Sequence, residues 1–141
     1  GFTLGDKIVI PGGFTYDNIV NKERDLWSTA LISRDNPEEL VEVQMNPASL
    51  LKFVYSNTAT YDNKLWLIGG AKRVGLSGIY RNTNEVWNSL DGINWNQLKC
   101  SPLAPTHATS IWSTPQGIYV GAGNGWSKEI YRISRINESS E

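Results

Sequence analysis

The chain has 141 residues and a mass of 15.7 kDa, a size that suits a single domain and argues against several. Its 13 Lys and Arg against 14 Asp and Glu give a net charge of −1, which argues against nucleic acid as a partner. No apolar run reaches the roughly 18 residues of a membrane span, and the single cysteine excludes an internal disulfide or a multi-thiolate metal site.

Three segments repeat a polar turn, an apolar strand and closing small residues. In chain order they are residues 6–13 (DKIVIPGG), residues 63–70 (NKLWLIGG) and, more loosely, residues 116–123 (QGIYVGAG). The glycines that end them, Gly13, Gly70 and Gly123, stand 57 and 53 residues apart. A regular spacing of this size indicates a repeat architecture.

Other strands are predicted between these segments from their apolar or alternating residues. In chain order they span residues 26–33, 40–43, 51–55 with 58–60, 85–89, 95–98, 107–112 and 129–134. Asp91 and Gly92 between two apolar runs indicate a hairpin. No apolar spacing of three and four persists long enough to predict a helix, and residues 14–25 and 71–84 are expected to be long loops. With about ten strands, the sequence predicts an all-β fold.

The second repeat has the fullest pattern of strand, double glycine and spaced tryptophans. Residues 63–70 are followed by Trp87 and then by Trp95. This pattern resembles kelch-repeat β-propellers, the group that includes galactose-oxidase-like proteins. The resemblance implies that glycine pairs end the second strand of each blade, where small residues let neighbouring blades approach, and that the tryptophans pack between blades. The pairs are Gly12 with Gly13 and Gly69 with Gly70.

By this resemblance the expected fold is a partial kelch-type β-propeller with about two and a half to three four-stranded antiparallel blades. Residues 1–141 form one domain, with blade units at about 4–45, 50–99 and 105–136. A closed propeller needs at least about four blades. We therefore expect a C-terminal piece of a larger ring, with no inner strand in its first unit and no outer strand in its last. Its open edges would meet the rest of the propeller or a second copy of the chain.

Residues 89–95 (SLDGINW) form a second motif. They resemble the Asp-box of sialidase-type propellers, from which they differ by lacking the residue that normally separates Asp from Gly. The resemblance implies a structural hairpin in which Asp91 caps the turn, Gly92 follows it and Trp95 packs behind it. It therefore implies no catalytic role for Asp91.

No set of residues for catalysis or cofactor binding stands out. His107 is the only histidine, so the copper site of galactose-oxidase-like enzymes, which needs two, cannot be assembled. No nucleophile-elbow motif surrounds a serine. We expect His107 to be a hydrogen-bonded strand or loop residue and Cys100 to be partly buried and unreactive, and residues 121–125 (GAGNG) predict a tight turn. No metal, cofactor or catalytic residue is expected.

Aromatic and arginine residues in the predicted loops are the candidates for binding. They are Tyr16, Arg73, Tyr80, Arg81 and Trp126. Propellers gather binding residues in loops at one face, and aromatic rings stack on sugars or anchor protein contacts equally well. For each residue taken alone, packing between blades is the competing interpretation.

The leading hypothesis is a noncatalytic recognition scaffold that contacts a glycan or a protein through loop aromatics. The alternative is a fragment of a carbohydrate-active propeller enzyme, galactose-oxidase-like or sialidase-like, whose catalytic residues lie outside this chain. A third hypothesis is a structural module that completes its sheets by self-association. The resemblance also predicts an extracellular, periplasmic or cell-surface location, and residues 137–139 match a glycosylation sequon.

Overall fold

The computed structural model describes residues 2–11, 14–17, 22–25, 28–47, 53–54, 56–74, 79–124 and 128–135. Sixteen β-strands and no helix are present in these residues, which confirms the prediction of an all-β fold. The strands form three main antiparallel sheets and two smaller ones. In the same residues, no helix is long and apolar enough to cross a membrane.

Sheet 1 contains four antiparallel strands. They lie side by side in the order β1 (Phe2–Leu4), β2 (Lys7–Pro11), β5 (Ser28–Ser33) and β6 (Leu40–Gln44). Two further strands, β3 (Phe14–Asp17) and β4 (Lys22–Asp25), form a separate hairpin between β2 and β5 in sequence. Side chains alternate along β2, so Val9 is buried on the inner face while Ile8 and Ile10 lie on the outer face.

Sheet 2 repeats this arrangement. Its strands lie in the order β8 (Asn57–Tyr61), β9 (Lys64–Ile68), β12 (Val86–Ser89) and β13 (Asn96–Gln97). A hairpin of β10 (Ala71–Val74) and β11 (Ile79–Asn82) lies between β9 and β12 in sequence, and β10 also pairs with β7 (Phe53–Val54). Asp62 and Asn63, with φ of 52° and 55°, form the two-residue turn from β8 to β9, a conformation that Asp and Asn tolerate well.

Sheet 3 has three strands within the described residues. They are β14 (Ser110–Thr114), the central β15 (Gly117–Gly121) and β16 (Ile130–Ile133). Val120 of β15 pairs with Ile111 on one side and with Tyr131 on the other. Ala108, with a φ of 52°, interrupts the strand predicted at residues 107–112, so β14 begins only at Ser110.

The three sheets stack face to face, with sheet 2 in the middle, and enclose two hydrophobic cores. The core between sheets 1 and 2 contains Phe2, Val9, Met45, Leu65, Leu67, Trp87 and Trp95. The core between sheets 2 and 3 contains Trp66, Ile68, Val86, Leu103, Ile118 and Val120. Strand β9 contributes to both cores because its side chains alternate between the two faces of sheet 2. Burial on both faces explains why its sequence is an unbroken apolar run after Lys64.

The four-stranded antiparallel sheets confirm the coarse form of the predicted fold, and over the described residues they form a stack without a closed ring. Two details of the prediction are wrong. The described part of the chain has sixteen strands instead of about ten, and sheet 1 begins with a strand, β1, that the prediction lacked. Strand β1 is only three residues long, too short to show a pattern. The hairpins β3–β4 and β10–β11 occupy the predicted loops, and their strands are polar or charged without a clean apolar alternation.

Candidate functional site

The turn between β12 and β13 is held closed by Asp91. Its Oδ1 accepts hydrogen bonds from the backbone amides of Ile93 and Asn94, both at 2.8 Å, and its Oδ2 accepts one from Asn94 Nδ2 at 2.9 Å. Ser89 Oγ accepts a bond from Gly92 N at 2.9 Å, and its one hydrogen is shared between Asn94 O at 2.6 Å and Asp91 Oδ1 at 3.0 Å. Partial burial raises the pKa of Asp91, but the hydrogen bonds from Asn94, Ile93 and Ser89 outweigh it and lower the pKa to about 2.

The same turn joins sheet 2 to sheet 1. Thr29 Oγ1 donates to Gly92 O at 2.7 Å, and Asn46 N donates to Ile93 O at 2.8 Å. Gly92 has a φ of +79°, and a Cβ on it would lie 2.5 Å from Val9 Cγ1, so no larger residue fits without a shift of Val9. The polar groups of this turn are engaged in joining two sheets, which makes it a structural element.

Two tryptophans of the repeat pattern lie in the core between sheets 1 and 2. Trp95 packs beside Phe2, with ring centroids 6.4 Å apart, and its Nε1 donates to Gly92 O at 3.1 Å. Trp87 Nε1 donates to Glu85 Oε2 at 2.9 Å. Each buried indole nitrogen therefore has a hydrogen-bond partner, as a packing role requires.

Sheets 2 and 3 approach each other closely at the end of β9. Gly70 N donates to Thr106 O at 2.8 Å, and Thr83 N donates to Gly70 O at 2.9 Å. Gly69 has a φ of +60°, and a Cβ on it would lie 2.7 Å from Thr106 O. This close approach of backbones brings together the segments that follow β9, follow β11 and precede β14.

A network of three polar side chains lies at this edge of the sheets, and we call it the Asn–His–Asn network. Asn82 ends β11, His107 precedes β14 and Asn124 follows β15. His107 Nδ1 lies 2.5 Å from Asn82 Oδ1, and His107 Nε2 lies 3.0 Å from Asn124 Nδ2. Asn124 N also donates to His107 O at 2.9 Å, which holds the two segments together.

The network places an amide group at each nitrogen of the imidazole ring. An amide oxygen only accepts and an amide nitrogen only donates, so with these amide orientations Nδ1 of His107 carries the hydrogen and Nε2 accepts one. A ring with an amide group at each nitrogen is poorly placed to act as a general base or a metal ligand. Asn82 and Asn124 are exposed, and Asn82 Nδ2 also donates to Asn124 O at 3.4 Å. Beyond these bonds, Asn82 keeps one N–H and one lone pair, and Asn124 keeps one N–H and both lone pairs of Oδ1 with which to bind further groups.

The β10–β11 hairpin carries three of the predicted binding residues beside this network. Arg73 pairs across the hairpin with Tyr80, and Arg81 pairs with Lys72. Arg81 is exposed and Tyr80 is half-buried. The hairpin and the Asn–His–Asn network are contiguous because Asn82 belongs to both. Side chains alternate along β11, so Tyr80 lies on the same face of the hairpin as Asn82, and Arg81 lies with Lys72 on the opposite face. We call the two together the glycine-edge surface, after the glycine pair that precedes the hairpin.

The remaining predicted residues are placed elsewhere or are not described. Tyr16 lies in β3, where its backbone pairs with Glu23 of β4. Trp126, Gly12 and Gly13 lie outside the described residues, as does the sequon at residues 137–139. The prediction omits Asn82 and Asn124 from the binding residues. The signal that marks Asn124 in the sequence is its place directly after the glycine that ends the third repeat.

A polar groove of about 490 Å³ lies at the opposite end of the sheets, between the β8–β9 and β14–β15 turns. Arg135 spans it: its Nη1 lies 3.6 Å from Asp62 Oδ1, and its backbone N donates to Tyr61 OH at 3.0 Å. Ser113 Oγ donates to Thr60 O at 2.6 Å. These contacts tie sheet 2 to sheet 3, so the polar groups of the groove serve each other and the groove is the weaker candidate.

The described part of the chain gives little support for a metal site or a reactive thiol. There, no group of three or more His, Cys, Asp and Glu side chains is arranged to hold a metal ion. Cys100 is exposed, so the predicted partial burial of this residue is wrong. It lies beyond β13, where the neighbouring Lys99 is also exposed.

Comparison with known proteins adds no family to this geometry. No protein-family model and no curated protein matches the chain. The function is therefore argued from the residues and their contacts.

Proposed function

We propose that the chain is a noncatalytic recognition module of the kelch-type β-propeller kind and that it binds a glycan. The observation that carries the proposal is the meeting of the β10–β11 hairpin with the Asn–His–Asn network at one edge of the stacked sheets. Arginine and amide groups bond to sugar hydroxyls, and a tyrosine ring stacks on a sugar face. The same proposal places the protein in an extracellular, periplasmic or cell-surface location, where glycans are displayed.

The arrangement of the sheets supports a propeller architecture. Strand β8, the first strand of sheet 2, contacts both β1 and β14, which are the first strands of its two neighbours. First strands that meet in this way line a common axis, as the inner strands of propeller blades do. Gly69 and Gly70 end the second strand of sheet 2, and Trp87 and Trp95 pack against the neighbouring sheet, which agrees with the kelch pattern.

The contacts within the glycine-edge surface favour binding over catalysis. His107 has an amide group at each ring nitrogen. Lys72, at the base of the hairpin, forms a salt bridge with Glu85 at 3.2 Å. Side chains that hold each other in this way form a preorganised surface, which lowers the ordering cost of binding a ligand.

A glycan-array measurement with the 141-residue chain and a Tyr80→Ala variant tests the proposal. We expect the wild-type chain to bind one glycan class and the variant to bind it roughly 10-fold more weakly, because the ring that stacks on the sugar, on the same face as Asn82, is lost. Arg34→Ala is the control, since Arg34 is exposed but lies between β5 and β6. The control should bind as the wild type does.

Each part of the proposal has an outcome that contradicts it. Equal affinities for the wild type and Tyr80→Ala would show that the glycine-edge surface is not the site. A chain that binds no glycan on the array, but is retained by an immobilised protein, would refute the ligand class. Hydrolysis or oxidation of a bound glycan by the purified chain would refute the noncatalytic role and support the enzyme alternative.

A further inference from the structure

Equivalent positions in consecutive sheets face the same way, which defines two kinds of sheet face. In the second strand of sheet 2, Leu65 and Leu67 face sheet 1 and are 2% and 7% exposed. Ile118 and Val120 hold the same positions of the repeat in sheet 3, face sheet 2, and are 0% and 1% exposed. We call the side of a sheet that carries these positions its front face, and the opposite side its back face.

The front face of sheet 1 is not covered by any described sheet. Ile8 and Ile10 hold the positions of the two leucines, but they are 38% and 41% exposed. Cross-strand pairing extends an apolar row from Ile8 through Ile32 to Leu40, which is 53% exposed. Side chains that are core residues in sheets 2 and 3 therefore form an apolar surface in sheet 1.

The back face of sheet 3 is likewise not covered by any described sheet. In sheet 2, Trp66 and Val86 lie on the back face and are buried against sheet 3. Tyr119 and Ile130 hold these positions in sheet 3, where Ile130 is 65% exposed. Tyr119 stacks on Trp112 with ring centroids 5.8 Å apart, and Trp112 is itself largely exposed. The two uncovered faces are thus one front face and one back face, the same combination that meets between sheets 2 and 3.

We propose that the back face of sheet 3 packs on the front face of sheet 1 of a second copy of this chain, and that the reverse contact closes a ring. Two copies of three sheets make six, which lies within the range of about four to eight blades of closed propellers. The contact is head-to-tail, and a two-fold axis closes it so that no apolar face stays open. This inference rests on the propeller architecture of the proposed function.

Charges on the two faces agree with this contact. Glu42 pairs with Ala30, which pairs in turn with Ile10, so Glu42 lies on the front face of sheet 1 in the same cross-strand row as Ile10. Arg132 pairs with Tyr119, which puts it on the back face of sheet 3. Both charged residues are exposed, and they have opposite signs. A contact between two front faces or between two back faces would instead bring like charges together.

The mass of the 141-residue chain in solution tests the ring. We expect light scattering to give twice the mass of 15.7 kDa over a range of micromolar concentrations. A monomer at every concentration would overturn the proposal. Masses that grow continuously with concentration would also overturn it, because a head-to-tail contact that does not close forms open filaments.

Two single-face variants test which surfaces meet. Ile10→Lys alters only the front face of sheet 1, and Ile130→Glu alters only the back face of sheet 3. In a head-to-tail ring each variant spoils both contacts, so each alone should self-associate at least roughly 100-fold more weakly than the wild type. An equal mixture should form a mixed dimer, since one of its two contacts is then wholly native and the other pairs Lys with Glu.

Controls separate loss of assembly from loss of folding and from loss of the proposed function. Leu90→Lys is the matched control, because Leu90 is 67% exposed in the Asp91 turn and lies on neither face, so this variant should remain a dimer. Near-ultraviolet circular dichroism should show native tryptophan packing in all variants.

Dimers that survive either single-face change would refute the head-to-tail contact. A monomer that binds glycan would refute the ring alone, while a dimer that binds none would refute the ligand class alone.

Discussion

The carboxylate of Asp91 shows how a single side chain fixes both a turn and the contact between two sheets. It accepts two backbone hydrogen bonds and one from the Asn94 side chain. The turn that it holds also bonds to Thr29 of sheet 1 and to Asn46, which follows the last strand of that sheet. Without the carboxylate, these amides would lose their partners inside a partly buried turn. The residue therefore affects stability and not ligand chemistry.

We expect Asp91→Ala to lower the free energy of unfolding by about 1–2 kcal/mol at neutral pH, because hydrogen bonds to a charged acceptor are lost. The folded pKa of about 2 lies below the ordinary value of 3.8, so the carboxylate stabilises the fold fully above about pH 4. That contribution is lost as the pH falls through about 2. Urea unfolding at a series of pH values should therefore show the difference between wild type and variant shrinking below about pH 4.

Asp35→Ala is the control for this experiment, since Asp35 is an exposed carboxylate in the β5–β6 connection. Its removal should change the free energy of unfolding by less than about 0.5 kcal/mol. A difference between wild type and Asp91→Ala that stays constant down to pH 2 would contradict the role assigned to the charged form of Asp91.

Of these hydrogen bonds, only those between residues close together in the chain could be predicted from the sequence. The motif at residues 89–95 predicts that Asp91 caps a turn, because all the residues involved lie within seven positions. The bond from Thr29 to Gly92 joins residues 63 positions apart, and no local pattern encodes it. The same holds for the Asn–His–Asn network, whose amides lie 25 positions before and 17 positions after His107.

At the scale of elements, β9 is the strand on which the stack depends. Leu65 and Leu67 enter the core with sheet 1, while Trp66 and Ile68 enter the core with sheet 3. Its partner β12 divides Val86 and Trp87 between the same two cores. A smaller side chain in β9 therefore weakens the packing between two sheets as well as the packing within sheet 2.

We expect Leu65→Ala to lower the free energy of unfolding by about 2–5 kcal/mol, because Leu65 is almost fully buried and its removal leaves a cavity beside Val9 and Gly92. Leu90→Ala removes the same atoms from an exposed position and should cost less than about 0.5 kcal/mol. Denaturant unfolding at a fixed protein concentration measures both. A Leu65→Ala variant as stable as Leu90→Ala would show that the two sheets do not pack as described.

Strands with a strong apolar pattern could be predicted, and strands defined by pairing could not. Strand β9 is a continuous apolar run and β6 alternates, so both are evident from composition alone. The strands of the β10–β11 hairpin, AKRV and IYRN, are mostly polar and become strands because each supplies hydrogen-bond partners for the other. Since this hairpin carries part of the glycine-edge surface, the candidate site was harder to predict than the core.

At the scale of the whole molecule, the three main sheets stack in the same orientation. Each sheet presents a front face to the sheet before it and a back face to the sheet after it, and sheet 2 alone among the described sheets has both covered. The repeat of glycine-ended segments predicts the number of sheets, but not which faces they bury. Burial of a residue depends on whether another sheet covers its face, and not on the residue type. Ile8 and Ile118 hold equivalent positions, but Ile8 is exposed and Ile118 is fully buried.

The thermal stability of the molecule should depend on its concentration. A ring of two copies is favoured by mass action, so raising the chain concentration 100-fold should raise the Tm of the wild type by several degrees. The Ile10→Lys variant should show a much smaller dependence, since it self-associates far more weakly. Differential scanning calorimetry at matched concentrations makes the comparison. A wild-type Tm that is independent of concentration would contradict assembly of the folded chain.

The equivalence of Leu65 with Ile118, and of Trp66 with Tyr119, has an evolutionary consequence. When successive units bury the same pairs of positions, a gene can lengthen by duplicating one whole unit, and the new unit finds a matching neighbour on each side without further substitution. Duplication of a partial unit would shift the alternation and turn apolar side chains toward solvent. We therefore expect length variants of this protein to differ by whole repeat units, each about as long as the 57 or 53 residues between the repeated glycines.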